Sequence, residues 1–226
     1  MNLPDVEAAL AAEAAAHARA GLDLNPFLEA EAVELGRARL VYAGTFSPVH
    51  GAFALGLDGP VEDRDWQEIH RFFQRKEREA HVWTAPFTDP SVEEGIRGRY
   101  VAARTVKVHG ISLGPSPGGE FPAGVSNPEH GAWALTFSRR ENPARTEPDL
   151  LAMTKVHQRE TRFYLLGSEA ASYTFFHQGL AIIPYPDARL LPLQKREAEE
   201  FKCSGLVALG ENSLPLLYER ILHEPV

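Results

Sequence analysis

The stretch that says most about the fold runs from Ser204 to Leu222 and reads SGLVALGENSLPLLYERIL. Its first apolar run, LVAL, is typical of a buried strand, and Gly210 follows where a tight turn is expected. Asn212 is a residue type that begins helices, and the leucines beyond it recur at helical spacing. The stretch therefore predicts a strand, a turn and a helix over 212–222 that carries Tyr218.

Outward from this stretch, hydrophobic periodicity and turn residues place the other elements. At the N-terminus, Asn2 has the position of a helix cap and Gly21 that of a helix stop. Helices are predicted at 4–20, 61–78, 90–98, 149–156 and 192–202, and strands at 38–43, 52–56, 81–85, 101–111, 132–137, 162–166, 170–176, 179–183 and 206–209.

A segment rich in glycine and proline, GPSPGGEFP from Gly114, interrupts this alternation of strands and helices. Such a segment forms neither a helix nor a central strand, so we predict a connector at 114–128. It separates an N-terminal half, 1–113, from a C-terminal half, 129–226. The two halves have similar orders of elements, which predicts an α/β fold with mixed sheets and an internal duplication.

Composition excludes several classes of function. The chain has 226 residues, of which 44% are hydrophobic, and a net charge of −8, which argues against a nucleic-acid partner. It has no apolar run long enough to cross a bilayer and no export signal, so we expect no membrane association. The single cysteine, Cys203, excludes an internal disulfide, and a reducing cytoplasm is the expected location.

Common catalytic motifs are missing from the sequence. The nine histidines show no metal-ligand spacing, so we expect no metal site. The sequence has no Gly-x-Ser-x-Gly elbow of a hydrolase and no glycine-rich phosphate loop of either common type. These absences leave the C-terminal stretch as the most informative feature.

Taken together, several stretches resemble GCN5-related N-acetyltransferases (GNAT), in which a strand leads to an asparagine and then to a helix with Leu-Tyr-Glu-Arg. In the N-terminal half the likeness is carried by GTFSPVHG from Gly44, by ALGLDGP from Ala54, and by Asp89-Pro90 followed by Gly98-Arg-Tyr100. The likeness covers 35–112 and 130–222. It implies two acyl-CoA N-acyltransferase-like halves in tandem, with any acyl-CoA site in the second half.

The resemblance also implies roles for individual residues. In the family an amine attacks the thioester of acetyl-CoA, a cosubstrate that is not tightly bound, and a tyrosine protonates the departing thiolate; here that tyrosine is Tyr218. Ile182 and Ile183 lie where a strand offers backbone N–H groups to the thioester carbonyl. The acceptor would be a small-molecule amine or a protein, and exposed strand edges favour a homodimer.

Departures from the family pattern leave two functions open. The family binds the CoA pyrophosphate with an Arg/Gln-x-x-Gly-x-Gly/Ala turn, whereas the stretch from Leu191 keeps Gln194 and Arg196 but has no glycine. Together with Ile182, Ile183 and Asn212, these two residues are the predicted cofactor-binding set. The chain is either an N-acetyltransferase or a non-catalytic binding or interaction module that has lost CoA binding. Tyr218 is accordingly either the catalytic acid or a core tyrosine, and an accidental likeness would leave an unrelated α+β protein.

Overall fold

The structure is a computed structural model that describes residues 1–45, 47–114, 125–126 and 128–226. Contacts divide the chain into two compact units: the first consists of Asn2–Lys107 with Leu217–Val226, and the second of Val108–Leu216 with Met1. The predicted connector lies largely outside the described residues, and the division at 114–128 stays a prediction. None of the helices in the described part of the chain is long and apolar enough to cross a membrane.

The first unit is a mixed sheet with helices on both faces. Its elements in chain order are α1 (Leu3–Leu24), a 3₁₀ helix (Pro26–Leu28), β1 (Glu31–Leu35), β2 (Ala38–Tyr42), β3 (His50–Phe53), α2 (Asp63–Gln74), β4 (Val82–Thr84), α3 (Pro90–Ile96), β5 (Tyr100–Ser112) and β11 (Leu216–Pro225). The strand order is β1-β2-β3-β4-β11-β5. Strands β3 and β4 are parallel and share one residue pair, Ala52 with Val82, whereas β4 and β11 are antiparallel.

Successive side chains along the strands of the first unit face opposite sides of the sheet and pack into two separate hydrophobic cores. Leu40 on β2 faces a core with the aromatic side of α2, whereas Val41 faces the alanine-rich α1. Helix α2 supplies Trp66, Ile69, Phe72 and Phe73, as its amphipathic pattern predicted. Helix α1 approaches the sheet closely because its buried face consists mainly of alanines.

The second unit also has a mixed sheet between helices. Its elements are residues 108–112 of β5, β6 (Val125–Ser126), α4 (His130–Glu141), α5 (Leu150–Val156), β7 (Thr161–Leu166), β8 (Ala170–His177), β9 (Leu180–Ile183), α6 (Leu191–Glu200) and β10 (Gly205–Leu209). The strand order is β5-β10-β9-β8-β7-β6, and among the described strands of this unit only β9 and β10 pair in parallel. The β8–β9 hairpin turns at Gln178 and Gly179, both with positive φ, one residue beyond the gap at 177–178 that separates the two predicted strands.

The helix predicted over 212–222 is wrong. From Leu216 the chain forms strand β11, in which Tyr218 and Arg220 are buried and Glu219 between them is exposed. This period of two matches a strand, and β11 obtains its backbone hydrogen bonds by pairing with β4. Tertiary pairing therefore overrides the helical spacing of the leucines.

The strand predicted at 132–137 is also wrong, because these residues lie in α4. Trp133, Ala134 and Phe137 are all buried, and a helix brings positions i, i+1 and i+4 to one face. A strand would have turned Trp133 and Ala134 to opposite faces. Smaller corrections concern Gly21, which lies inside α1, and two strands that were not predicted, β1 and β6; the latter lies within the predicted connector. The other predicted helices and strands are confirmed, with ends shifted by a few residues.

Candidate functional site

The two isoleucines predicted to hold a thioester carbonyl lie on β9 in the middle of the second unit's sheet. Ile182 pairs with Phe175 on β8 and with Val207 on β10, and Ile183 pairs with Ala208. Both side chains are completely buried. The main chain of β9 is thus part of the sheet ladder up to the end of the strand.

The segment after β9, which corresponds to the phosphate-binding turn of the family, forms hydrogen bonds within itself. The N–H groups of Leu190 and Leu191 both donate to the carbonyl of Asp187 at 3.0 Å, and those of Leu193 and Gln194 both donate to the carbonyl of Leu190 at 3.1 Å. Pro192 has no N–H group. The first amides of α6 are therefore used within the segment, and none of these N–H groups is directed at a ligand position.

The side chains of this turn are also engaged. Arg189 donates to Asp187 at 3.0 Å and contacts Glu169 at 3.3 Å. The hydrogen bond from Arg189 is the main reason that the pKa of Asp187 lies below its usual value. The arginine nearest to the start of α6 is therefore neutralised by the chain's own carboxylates.

Three of the predicted cofactor-binding residues have structural contacts in the second unit. Gln194 is completely buried, and its amide nitrogen lies within hydrogen-bond distance of Ser172 Oγ at 3.0 Å and of Thr174 Oγ1 at 3.1 Å. Arg196 forms an ion pair with Glu200 at 3.2 Å. Asn212 accepts a hydrogen bond from the backbone of Leu214 at 2.9 Å, closing the loop before β11. Their role toward a cofactor stays a prediction.

Tyr218, the predicted acid, lies in the first unit and forms a buried polar cluster with Glu7 and Arg220. Its hydroxyl donates to Glu7 Oε1 at 2.8 Å, and Arg220 Nη2 lies 3.5 Å from Glu7 Oε2. Arg220 also stacks over the indole of Trp83, with its guanidinium carbon 4.3 Å from the ring centroid. Phe87 packs edge-on against the phenol.

Burial governs the acid–base chemistry of this cluster. Removal from water raises the pKa of Tyr218 well above its usual value, and the carboxylate of Glu7 raises it further. A general acid works best with a pKa near the operating pH, so Tyr218 in this setting is a poor proton donor. The sequence reading missed Glu7 and Arg220; the signal was a carboxylate within the alanine-rich face of α1, which requires a buried partner.

The first unit contains a cavity of about 620 Å³ between the β1–β2 turn, the loop from β3 to α2, and the first turns of α2. The loop includes Gly56 and Gly59, with φ of +72° and +130°. A Cβ on Gly56 would lie 2.6 Å from Val92 on α3, so both the backbone angle and the close approach of α3 require glycine there. The sequence of this loop contributed to the resemblance to the GNAT family, but no site was predicted in it.

The charges around this cavity are balanced in pairs. Arg37 contacts Asp5 at 2.8 Å, Arg71 contacts Glu68 at 3.0 Å, and Arg64 contacts Glu62 at 3.1 Å. Glu62 also forms a capping box with Asp65, which occupies backbone N–H groups at the start of α2. A phosphate ligand would have to displace carboxylates here.

A pair of histidines gives the first unit a testable pH dependence. The rings of His50 and His81 lie 4.2 Å apart, and burial, followed by the charge of His81, lowers the pKa of His50. The charge of Arg78 also lowers it, whereas a hydrogen bond that the His50 ring donates to the Ser47 backbone and the charge of Glu224 raise it. Because the unfolded chain binds this proton more readily, the stability from neutral His50 is present above its unfolded pKa and is lost as the pH falls below it.

We therefore expect the free energy of unfolding to be lower at pH 5.5 than at pH 7.5, values that bracket the usual histidine pKa of about 6.5. Urea denaturation at both pH values measures this difference. In His50→Gln the difference should shrink. His70→Gln, which removes an exposed imidazole from α2, serves as the matched control. An unchanged difference in His50→Gln would contradict the assignment.

Comparison with known proteins yields matches only at the level of structure. No family model and no curated protein matches the chain. Among solved structures, it is similar to a GCN5-related N-acetyltransferase from Kribbella flavida, with a TM-score of 0.53 and 12% identity, over 92% of this chain and 94% of that chain. A GCN5-related N-acetyltransferase from Sphaerobacter thermophilus aligns with a TM-score of 0.45 and 14% identity, over 99% and 94%.

The first of these similarities covers nearly the whole of both chains, and it is the basis for assigning the fold. Among the described residues, no group of three or more His, Cys, Asp or Glu side chains is arranged to hold a metal ion. The chain has the fold of the GCN5-related N-acetyltransferases, as its sequence resemblance predicted.

Proposed function

We propose that this chain is a binding module built on the GNAT fold, whose second unit does not take acetyl-CoA in the manner of the family. One observation supports this most directly: the N–H groups of residues 190–194 that could meet a pyrophosphate donate within their own segment. Pyrophosphate binding at a helix start requires such groups to be open. Binding here would break several hydrogen bonds and expose Leu190, which is completely buried.

The setting of Tyr218 supports the same proposal. Its hydroxyl is buried, donates to Glu7 and has a raised pKa, so it is suited to holding β11 against α1 rather than to protonating a thiolate. In this proposal Tyr218 is a core residue.

A second function, N-acetyl transfer from acetyl-CoA to an amine, is favoured by the cavity of the first unit. There, β3 and β4 are parallel and pair at one position, and a loop with two glycines of positive φ leads from β3 to α2. This order of strand, glycine turn and helix is the one in which the family holds CoA. The carboxylates that pair with Arg37, Arg64 and Arg71 weigh against it.

Titration calorimetry with acetyl-CoA at millimolar concentration separates the two functions. We expect no heat of binding and no thermal shift for the wild-type chain. Two variants locate any binding: Arg64→Gln removes an exposed cation from the cavity, and Arg97→Gln removes an exposed cation outside it. Heat that Arg64→Gln abolishes and Arg97→Gln leaves intact would support the acetyltransferase and overturn the binding module.

A further inference from the structure

A second cavity, of about 420 Å³, lies in the second unit at the tip of the β8–β9 hairpin. It is bounded by the start of β7, the hairpin turn and the segment after α6. The residues that matter for its chemistry are Glu160, Arg162, Phe176, His177, Phe201 and Cys203. The cavity lies at the C-terminal end of α6, whereas the phosphate turn of the family lies at the N-terminal end. Helix α6 has 10 residues, so the two ends are about 15 Å apart.

The backbone around this cavity is held in unusual conformations. Glu160 and Gln178 line it, and Lys202 lies between two lining residues; all three have positive φ, at 56°, 46° and 55°. Non-glycine residues adopt this region rarely, and they do so where the surrounding structure fixes them. The rim of the cavity is therefore defined by the fold.

An exposed aromatic side chain forms one wall. Phe201 is 50% exposed, and its ring meets that of Phe176 edge-on at 5.0 Å. The guanidinium carbon of Arg162 lies 5.0 Å from the centroid of the Phe201 ring. An aromatic pair with an open side and a cation beside it is a surface on which a flat ring can stack.

Arg162 has capacity for a further anionic partner. Within the described residues its only ionic partner is Glu197, 3.9 Å from Nε, and the hydroxyl of Tyr164 also donates to that carboxylate. The Arg162 side chain is about half exposed and lines the cavity. A guanidinium fork binds a carboxylate through two parallel hydrogen bonds.

We propose that this cavity binds an aryl carboxylate, with the ring against Phe176 and Phe201 and the carboxylate on Arg162. A cationic ligand fits less well, because Arg162 already lies over the ring face that would attract it. The charged residues of the lining are Arg162 and Glu160, so the preference for an anion depends on direct contact between Arg162 and the ligand carboxylate. This site goes beyond the proposed function and does not depend on it, because a failure to bind acetyl-CoA leaves the cavity unaffected.

Phenylacetate is the probe for the test, and phenylacetamide, which has the same ring without the charge, is its matched control. By calorimetry we expect phenylacetate to bind the full chain and phenylacetamide to bind at least about tenfold more weakly. Arg162→Gln should weaken phenylacetate binding about tenfold and leave phenylacetamide unchanged, while Phe201→Ala weakens both. Arg159→Gln, an exposed arginine outside the cavity, should have no effect.

Cys203 supplies an independent readout, because it is the only cysteine in the chain and lines the cavity. Phenylacetate should slow its alkylation by iodoacetamide in the wild-type chain and in Arg159→Gln, but not in Arg162→Gln. Three results would overturn the proposal: no binding of phenylacetate at millimolar concentration, equal binding of phenylacetamide, or equal loss in Arg162→Gln and Arg159→Gln.

Discussion

We expect the Glu7→Ala variant to unfold with a free energy about 3–5 kcal/mol below that of the wild-type chain. Glu7 is 2% exposed and accepts the Tyr218 hydroxyl, while Arg220, 4% exposed, depends on it for charge compensation. Its removal leaves a buried guanidinium whose other partners, in the part of the chain that the structure describes, are the rings of Trp83 and Phe53. An uncompensated buried charge is among the most destabilising defects a core can contain. Urea denaturation followed by circular dichroism measures the loss.

Glu34→Ala is the matched control, because it makes the same chemical change at an exposed ion pair. Glu34 contacts Arg39 at 3.1 Å, and its side chain is 73% exposed, so its loss should cost only about 0.2–1 kcal/mol. The double variant Glu7→Leu with Arg220→Met removes both charges together and should recover most of the stability. If Glu7→Ala is no less stable than Glu34→Ala, the cluster does not hold β11 in the first unit.

The same cluster explains why the C-terminal stretch was misread. Leu214, Leu217 and Ile221 have the spacing of a helix face, and sequence periodicity could not show that β4 lies beside them as a pairing partner. Long-range contacts favour the strand over the helix: Tyr218 and Arg220 contact Glu7, which is more than two hundred residues away in the chain. Local propensity is a weak prior against such contacts.

By contrast, segments whose structure depends on local chemistry were predicted well. The aromatic face of α2 was predicted because the spacing of Trp66, Ile69, Phe72 and Phe73 places all four side chains on one side of a helix. The β8–β9 hairpin was predicted from two apolar runs around His177 and Gln178, and its turn lies one residue further along the chain, at Gln178 and Gly179. In both cases the hydrophobic pattern and the turn residues agree.

The candidate site was predictable in part. The turn without glycine after β9 led us to predict an altered phosphate cradle, and this stays a prediction; in the structure the amides of this turn donate to the carbonyls of Asp187 and Leu190. Gln194 shows what a sequence motif does not reveal. Its position matches a residue that binds the cofactor in the family, but its amide is buried against Ser172 and Thr174. The cavities beside Gly56 and Phe201 depend on surfaces from several elements, which periodicity along one segment does not reveal.

For the second unit, the largest expected effect is that of Trp133→Ala, which should lower the free energy of unfolding by about 3–5 kcal/mol. Trp133 on α4 is completely buried, with its ring 4.8 Å from that of Phe137 and 4.7 Å from that of Phe163. Its indole N–H donates to the carbonyl of Ser172 at 2.8 Å. Alanine removes this packing and leaves a buried carbonyl without its donor. Urea denaturation monitored by circular dichroism measures the change.

Trp133→Phe separates the two contributions, because phenylalanine keeps a ring in the core but cannot donate to Ser172. It should lose less stability than Trp133→Ala, with about 1–3 kcal/mol attributable to the unsatisfied carbonyl. Leu150→Ala, at a partly exposed position on α5, controls for the loss of an apolar side chain. If α4 were the strand that the sequence indicated, Trp133 and Ala134 would face opposite sides. Ala134→Asp would then be tolerated on the exposed side, whereas in α4 it places a charge in the same buried core and should be as damaging as Trp133→Ala.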